Sequence, residues 1–570
     1  MNESNSLITN KNGKILKKNK KRNFVINIKK TFIKVKEKSL LPYLLALLIC
    51  IIIILIGVLI VSIWNEPNKK KNKLSHLNWK HFKQNLNYTI NEPKLKFDNI
   101  TETEFISNFV ENNKQENKNY FISKFKKEYK PPKNQNPSCD NLDPIKLFKA
   151  RLNSPFKTIC KESKSQHICT LNKNPMYSGP NGVICKMSNI ILDPTKWQNS
   201  SYIYKGPVDV DKKGKPILSQ GFFNMKCKNP SFLEGYNNMY KPYFNGWDYN
   251  FTDNINNKKY EELAPGKTVF FLSRNQDSPN LYHGGSEFIN ALSLMYLLNL
   301  EPEDIQVIFL ESITIYDDPF YTLYEKLIGR GGKPIYMRNL DMTKKYYITN
   351  AVHIPINWDS PCFISSGVPY CEKPTLTYYF YNKLIDNYLN ISDYFDPFQS
   401  DGEIFYYPKQ VLESYKSNIK FKKVVTFQWR RIWPKGRKNQ QRILGNGPEL
   451  VDKLASVLPK DFLIRLIDTA SLPIEEQISI MRKTDYFIGM HGAGLMLSIF
   501  APSHCIFHEI LPRYNMNGLL LMASLSGHKT YSEILPSTEQ IIDTNEMFYF
   551  NVDVVADKVL GHMKEKNFFN

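Results

Sequence analysis

No charged residue occurs between Lys38 and Glu66. The stretch Leu40 to Trp64 reads LLPYLLALLICIIIILIGVLIVSIW, 25 residues in all. As a helix rising 1.5 Å per residue it would be about 37 Å long, enough to cross a hydrocarbon core of about 30 Å with some tilt. Tyr43 and Trp64 lie near its ends, where interfacial anchors belong. The run is too long for the apolar part of a cleavable signal peptide, and no small-x-small cleavage site follows it. An uncleaved membrane anchor over residues 39–65 is therefore expected.

The flanks orient this anchor. Residues 1–38 carry 12 Lys/Arg and two acids, whereas the segment just after the span carries five lysines (Lys69, Lys70, Lys71, Lys73 and Lys80). The positive-inside rule then leaves residues 1–38 as a basic cytosolic tail and the rest of the chain in the lumen, a single-pass type II arrangement. The tail is read as a topology signal attracted to anionic lipid. The formal net charge of +22 invites a nucleic-acid reading, but +10 belongs to the tail and +7 to residues 65–137. Only +5 remains for residues 138–570, and no nucleic-acid partner is expected.

Two features suit a lumenal body. Beyond Cys50 in the span stand eight cysteines: Cys139, Cys160, Cys169, Cys185, Cys227, Cys362, Cys371 and Cys505. An even count in an oxidising compartment suggests disulfides, and Cys362 with Cys371, flanking a short Gly-Pro turn region, is the expected single pair. N-x-S/T glycosylation sequons occur at Asn87, Asn99, Asn199, Asn250 and Asn390.

Composition 42% hydrophobic and 13% aromatic provides for a large core. Residues 66–137, rich in Lys and Asn with weak periodicity, read as a stem. Residues 138–230 hold five cysteines between short apolar runs, which suggests a β-rich, disulfide-stapled start. From Lys267 onward, strand-like and helix-like segments alternate: KTVFFLS, then SEFINALSLMYLLNL, then QVIFLE. From 423 the alternation is clearer: VVTFQW, PELVDKLASVL, FLIRLID, PIEEQISIMRK, YFIGM, LMLSIF and CIFHEIL. Such alternation predicts two α/β units with parallel, doubly wound sheets, at about 265–345 and 420–535.

The chemistry-bearing residues sit where these strands end. YFIGM runs into His491-Gly492-Ala493-Gly494, and a helix follows. Glycines let a backbone approach a ligand closely, and a helix start offers free N–H groups to a diphosphate. Glu509, near the end of the next strand, is placed to accept ribose hydroxyls. Upstream, VVTFQW runs into Arg430-Arg431, and Arg442, Asn446 and Glu449 follow; arginines at the ligand end of an open sheet suit bidentate phosphate contacts. In the first unit, His283 and Glu287 fall at i and i+4, on one face of a helix, where a carboxylate can orient a histidine acting as general base.

Together these residues resemble family 61 glycosyltransferases. The resemblance rests on Asn280/His283/Glu287, Arg430…Arg442…Asn446…Glu449, Gly489/His491–Gly494/Leu495, Phe500/Pro502 and Glu509/Pro512, and covers roughly residues 140–535. Glu287 stands for the usual Asp, Gly445 is an insertion before Asn446, and Ser498 replaces a usual His or Asn. The resemblance implies a GT-B-like α/β fold, two Rossmann-like domains facing a cleft. They would be an N-terminal acceptor-side domain over 138–415 and a C-terminal nucleotide-sugar-binding domain over 416–540, with a tail or helix over 541–570.

It also implies inverting transfer of a sugar, xylose or N-acetylglucosamine, from a UDP-sugar to a hydroxyl of a glycoprotein in the Golgi or endoplasmic reticulum. His283 and Glu287 would be catalytic. Arg430, Arg431, Arg442, Asn446, His491, Gly492, Ala493, Gly494 and Glu509 would bind the donor. The UDP-sugar is then a co-substrate, and no metal or other cofactor is expected. Two alternatives come from other classes. Asp209-Val-Asp211 matches the metal-binding DXD of GT-A transferases, and an inactive lumenal carbohydrate-binding protein would keep the same pockets. A hydrolase reading of His283-Gly284-Gly285 as an oxyanion loop lacks a G-x-S-x-G nucleophile elbow.

Overall fold

The computed structural model describes residues 121–569 apart from 134, 154–155, 163–164, 171–182, 198–217, 232–244, 252–258, 273–279, 311–319, 331, 355–368, 390, 392–403, 432–441, 512–517, 536–539 and 543–546. The expected cytosolic tail and anchor lie outside the described residues, as do the stem as far as residue 120, Asn87, Asn99, Asn199, Asn390, and Asp209 and Asp211. Among the described residues no helix is long and apolar enough to cross a membrane. Asn250 is described and exposed.

The first sheet contains β1 (Phe156–Lys161), β2 (Gln166–Thr170), β3 (Cys185–Leu192), β4 (Phe223–Asn224), β5 (Trp247–Asp248), β6 (Glu261–Glu262), β7 (Thr268–Leu272), β8 (Ile305–Phe309), β9 (Ile335–Tyr336) and β10 (Tyr346–Ile354). Its main path is β1-β2-β3-β10-β7-β8-β9. The strands β10, β7, β8 and β9 are parallel, whereas β1, β2 and β3 add an antiparallel flank against β10. The described cysteines of this flank are joined as Cys160–Cys227 and Cys169–Cys185.

The second sheet contains β11 (Phe405–Tyr406), β12 (Lys423–Gln428), β14 (Phe462–Ile467), β15 (Tyr486–Met490), β16 (Ile506–Leu511) and β17 (Lys529–Ile534); β13 (Ile443–Leu444), β18 (Gln540–Ile542) and β19 (Met547–Phe550) form a small third sheet. The second sheet is ordered β11-β14-β12-β15-β16-β17, with β12 parallel to both β14 and β15. Among its parallel strands this is the doubly wound order 2-1-3-4-5, which reverses direction between β12 and β15. The helix Val552–Glu565 belongs to this half, with Val555, Ala556, Val559 and Met563 buried in the same core as Leu450, Val451 and Leu454 of the helix Gly447–Val457.

A layer of helices lies in one continuous apolar core with both sheets. That core unites Phe270 and Leu272 of β7 with Phe487 of β15 and Phe507 of β16. Between them stand Phe288, Tyr381, Ile478, Met496, Phe500 and Leu521. Full burial of a Phe or Leu side chain is worth about 1.5–3 kcal/mol, so this shared layer carries much of the stability of both halves.

Two boundaries and one disulfide differ from the sequence reading. Residues 121–137, taken above as the end of the stem, fold onto the core. Ile122 and Phe125 are buried, Phe125 packs edge-on against Phe380 at 5.0 Å, and Glu301 accepts from the Ile122 N–H at 2.9 Å. The second unit begins upstream of 416, because β11 pairs with β14. The third difference is a disulfide. The expected Cys362–Cys371 bridge does not form: Cys371 is joined to Cys139, 232 residues away, and Cys362 lies outside the described residues. The physical reason is the docking of two helix starts. Buried Asp143 accepts from the Thr377 N–H at 2.8 Å, and the Ile145 N–H donates to Thr377 Oγ1 at 2.9 Å. That contact carries the segments of Cys139 and Cys371 together. Cys505 is a free, buried thiol.

Peptide mapping without reduction is expected to recover a Cys139–Cys371 peptide; a Cys362–Cys371 peptide would refute the pairing. Cys139→Ser should cost roughly 2–5 kcal/mol in chemical denaturation. A second expectation concerns the buried histidines His167 and His353. They lie on one face of the sheet, where His353 opposes Cys185 and Cys185 opposes Cys169. Burial holds both imidazoles down to about 3. With an unfolded value near 6.5, each binds fewer protons in the folded chain across that interval. Its stabilisation is therefore present above about pH 6.5 and is lost as pH falls toward 3. His353→Gln should make the loss of stability between pH 6.5 and 4 shallower by about one proton. An unchanged slope would refute this.

Candidate active site

The turn after β15 and the end of β12 meet at the reversal of strand order in the second sheet, where ligands of open α/β sheets bind. His491 follows β15, Arg430 follows β12, and the Arg430 Nη1 donates to the His491 carbonyl at 3.4 Å. The glycines of the turn leave room for two neighbouring side-chain ends. A Cβ on Gly492 would lie 1.5 Å from Arg430 Nη1, and one on Gly494 would lie 1.6 Å from Gln428 Nε2. Real Cβ atoms do not approach so closely, so the guanidinium and the amide occupy the space that any side chain there would take. A short 3-10 helix, Ala493–Phe500, leaves the turn.

His491 is 5% exposed and Glu509 on neighbouring β16 is 1% exposed, and Nδ1 of the histidine meets Oε1 of the carboxylate at 2.5 Å. Glu509 Oε1 accepts the Nδ1–H, which directs Nε2 away from the carboxylate. The sequence reading had this carboxylate on a ribose; in the structure it holds an imidazole, and its second oxygen is buried without a hydrogen-bond partner among the described residues. The tautomer follows from the pairing, because Glu509 lies opposite Gly489 across β15 and β16 and two residues from the histidine.

Arg430 is partly buried. Burial, and then the positive charge of Arg442, push its pKa down to about 10. Arg442 has a φ of 69°. That left-handed conformation costs a non-glycine residue roughly 1–3 kcal/mol and is sustained by surrounding structure. Two residues on, the Leu444 N–H donates to the Arg430 carbonyl at 2.8 Å and ties the two arginine segments together. Arg431 is exposed and lies 4.7 Å over the Trp429 ring.

Not every expected donor-site residue faces this site. Asn446 donates to the Phe550 carbonyl at 2.7 Å and accepts from the Phe550 N–H at 3.1 Å, so its amide clamps the small third sheet. The inserted Gly445 lies against Tyr549, whose ring would be 2.6 Å from an added Cβ. Ser498 is fully buried, and its carbonyl accepts from His528 at 2.8 Å. Glu449 is exposed in the first turn of its helix, and Pro512 lies outside the described residues.

Gln428 was missed by sequence reasoning. It is the last residue of β12, buried, and donates to Thr469 Oγ1 at 3.1 Å while pressing on Gly489 and Gly494. The available signal was a polar residue closing an otherwise apolar buried strand.

His283 lies in the first turn of the helix Leu281–Leu297, which Asn280 caps by accepting from the Tyr282 N–H at 3.0 Å. Glu287, one turn later, is buried. Gly284 and Gly285 are helical, so they form no oxyanion loop. Gly285 serves close packing instead: a Cβ there would be 2.6 Å from Met496 Cε, in the helix that leaves the His491 turn. The helix bearing His283 is thus pressed directly against the helix that starts at the glycine turn.

Comparison with known proteins gives the class, a glycosyltransferase. The family described as Glycosyltransferase 61 matches residues 168–507. That is more than half of the chain, which belongs to this family. The chain is 26% identical over 318 residues to the EGF domain-specific O-linked N-acetylglucosamine transferase of Drosophila melanogaster, covering 52% of this chain and 54% of the relative. It is 29% identical over 155 residues to the protein of the same name from Pan troglodytes, covering 24% of this chain and 29% of the relative. The chain therefore spans about half, or less, of the length of the curated relatives it matches.

The packing of Arg430 on Gly492 makes a testable pair. Gly492→Ala should lower stability by about 1–3 kcal/mol, as overpacking does. In an Arg430→Ala background the same change should cost far less. Additive costs in a double-mutant cycle would refute the contact.

Proposed function

We propose that this protein is an inverting glycosyltransferase that moves N-acetylglucosamine from its UDP-sugar to a hydroxyl of a secretory-pathway protein. The observation that carries the reading is the pair of arginine segments and the His491 turn converging where the second sheet reverses. The relatives' name favours N-acetylglucosamine over xylose, and favours an EGF-domain hydroxyl as the acceptor. A GT-B arrangement is supported by the two α/β sheets, each with a parallel core, and their common helical layer.

In this reading the donor's diphosphate sits by Arg430 and Arg442. A dianion there relieves the repulsion between the two guanidinium groups and restores the charge-favouring environment that burial removes from Arg430. His491, held by Glu509 through Nδ1, presents Nε2 to a phosphate oxygen, and the amides of Gly492–Gly494 add donors. His283, on the face it shares with Glu287, takes the proton of the acceptor hydroxyl. The oxygen then attacks the anomeric carbon, the bond from that carbon to the phosphate oxygen breaks with its electron pair going to the departing UDP, and the arginines stabilise the charge that develops there. These residues require no metal. A type II anchor at 39–65 in the Golgi or endoplasmic reticulum completes the proposal, resting on the sequence pattern.

Incubation of the purified lumenal body with a panel of nucleotide sugars and protein acceptors should release UDP from the N-acetylglucosamine donor. No turnover with any donor would favour the carbohydrate-binding alternative. Full activity in EDTA is expected; loss restored by a divalent cation would favour the Asp209/Asp211 alternative. His283→Ala should lower kcat by about 10²–10⁴-fold with little change in UDP affinity. Arg430→Ala should weaken UDP binding by about 10–100-fold, the worth of a charged hydrogen bond. Unchanged UDP affinity in both Arg430→Ala and His491→Ala would sink the donor-site assignment.

A further inference from the structure

On the face of β16 opposite Glu509, a second group of ligand-type side chains converges. His508 on β16, Glu533 on β17 and His562 on the helix Val552–Glu565 each offer a ligand atom within 4.8 Å of the others. We propose that these three residues hold a Zn²⁺ ion that fastens the C-terminal helix to the second sheet.

The arrangement has the features of a His₂Glu site. His508 is 1% exposed, its Nδ1 meets the Tyr486 hydroxyl at 3.3 Å, and its Nε2 is buried without a hydrogen-bond partner among the described residues. A ligating histidine holds its other ring nitrogen in this way, which fixes the tautomer and leaves the second lone pair for the ion. His562 Nε2 lies 3.2 Å from Glu533 Oε1, and its ring stacks on Tyr531 at 3.7 Å, which fixes the ring plane. Glu533 keeps its second oxygen on Lys558 at 3.1 Å and presents the first to the cluster.

Two imidazoles and one carboxylate, with water in a fourth position, match the ligand set of zinc. His562 and Glu533 are partly exposed, which leaves a path for the ion. Register explains why the group assembles. Glu533 pairs with Ile510, and His508 with Tyr531, so His508 and Glu533 share one face while Glu509 turns to the other. The site is separate from the donor residues, and its test is independent of transferase activity.

The full lumenal body, stripped with chelator and titrated with ZnCl₂ by calorimetry, should bind one Zn²⁺ and unfold several degrees higher with the metal than without. His562→Gln and Glu533→Gln should each weaken that binding by about 10-fold or more and lose the thermal shift. Each should match the stripped wild type in far-UV dichroism; should one fail to fold, the other decides. Lys558→Ala should keep the site. Cobalt substitution should give a spectrum without thiolate charge transfer. Thiolate bands would assign the metal instead to cysteines, as at His167, Cys169 and Cys185, the other ligand-type cluster among the described residues, once the Cys169–Cys185 bridge is reduced. That outcome would overturn the proposal. So would equal Zn²⁺ affinity in wild type and both variants.

Discussion

At the candidate site two side-chain ends fill the space left open by two glycines. The guanidinium of Arg430 and the amide of Gln428 occupy the volumes that Cβ atoms of Gly492 and Gly494 would fill. This steric constraint binds β12 to the turn after β15, and those two strands flank the reversal of the sheet. The glycines of a phosphate-type turn are usually explained by backbone freedom or by approach of the ligand. Here Gly492 has extended backbone, φ 164°, which any residue adopts. The space its missing side chain leaves is taken by the protein's own arginine.

A second close approach carries the coupling onward. Gly285 allows the helix bearing His283 to lie on Met496, next to the same turn. The core that results is common to both sheets, with Phe288, Tyr381 and Phe500 in contact at ring distances of 5.6 Å. Close-packed interiors transmit displacement, so the candidate base and the candidate donor residues are held by one body of side chains. The disulfide from Cys139 to Cys371 ties the first described helices to that body, and Asp143 and Thr377 align the segments it joins.

Much of this organisation was legible in the chain. The strands TVFFL, KVVTFQ, FLIRLI, YFIGM and IFHEIL and the helices between them follow from apolar runs and from prolines at helix starts. The convergence of Arg430 and His491 could be argued because both follow parallel strands that end on one side of a sheet. The roles of Glu509 and Asn446 could not. A strand's alternation says which face a carboxylate takes, yet not whether a histidine from the adjacent strand reaches it first. Likewise, Asn446 meets Phe550 across 104 residues, a pairing that no local pattern encodes.

The sequence by itself determined the alternation of strands and helices, the charge-free run from Leu40 to Trp64, and the identity of the turn HGAG. These depend on periodicity and on residue type over short spans. Only the tertiary structure decided which cysteine partners Cys371, that Glu509 orients His491, that residues 121–137 fold onto the core, and that His508, Glu533 and His562 converge. Each of these is a contact between segments far apart in the chain, and such contacts are set by strand register and helix packing.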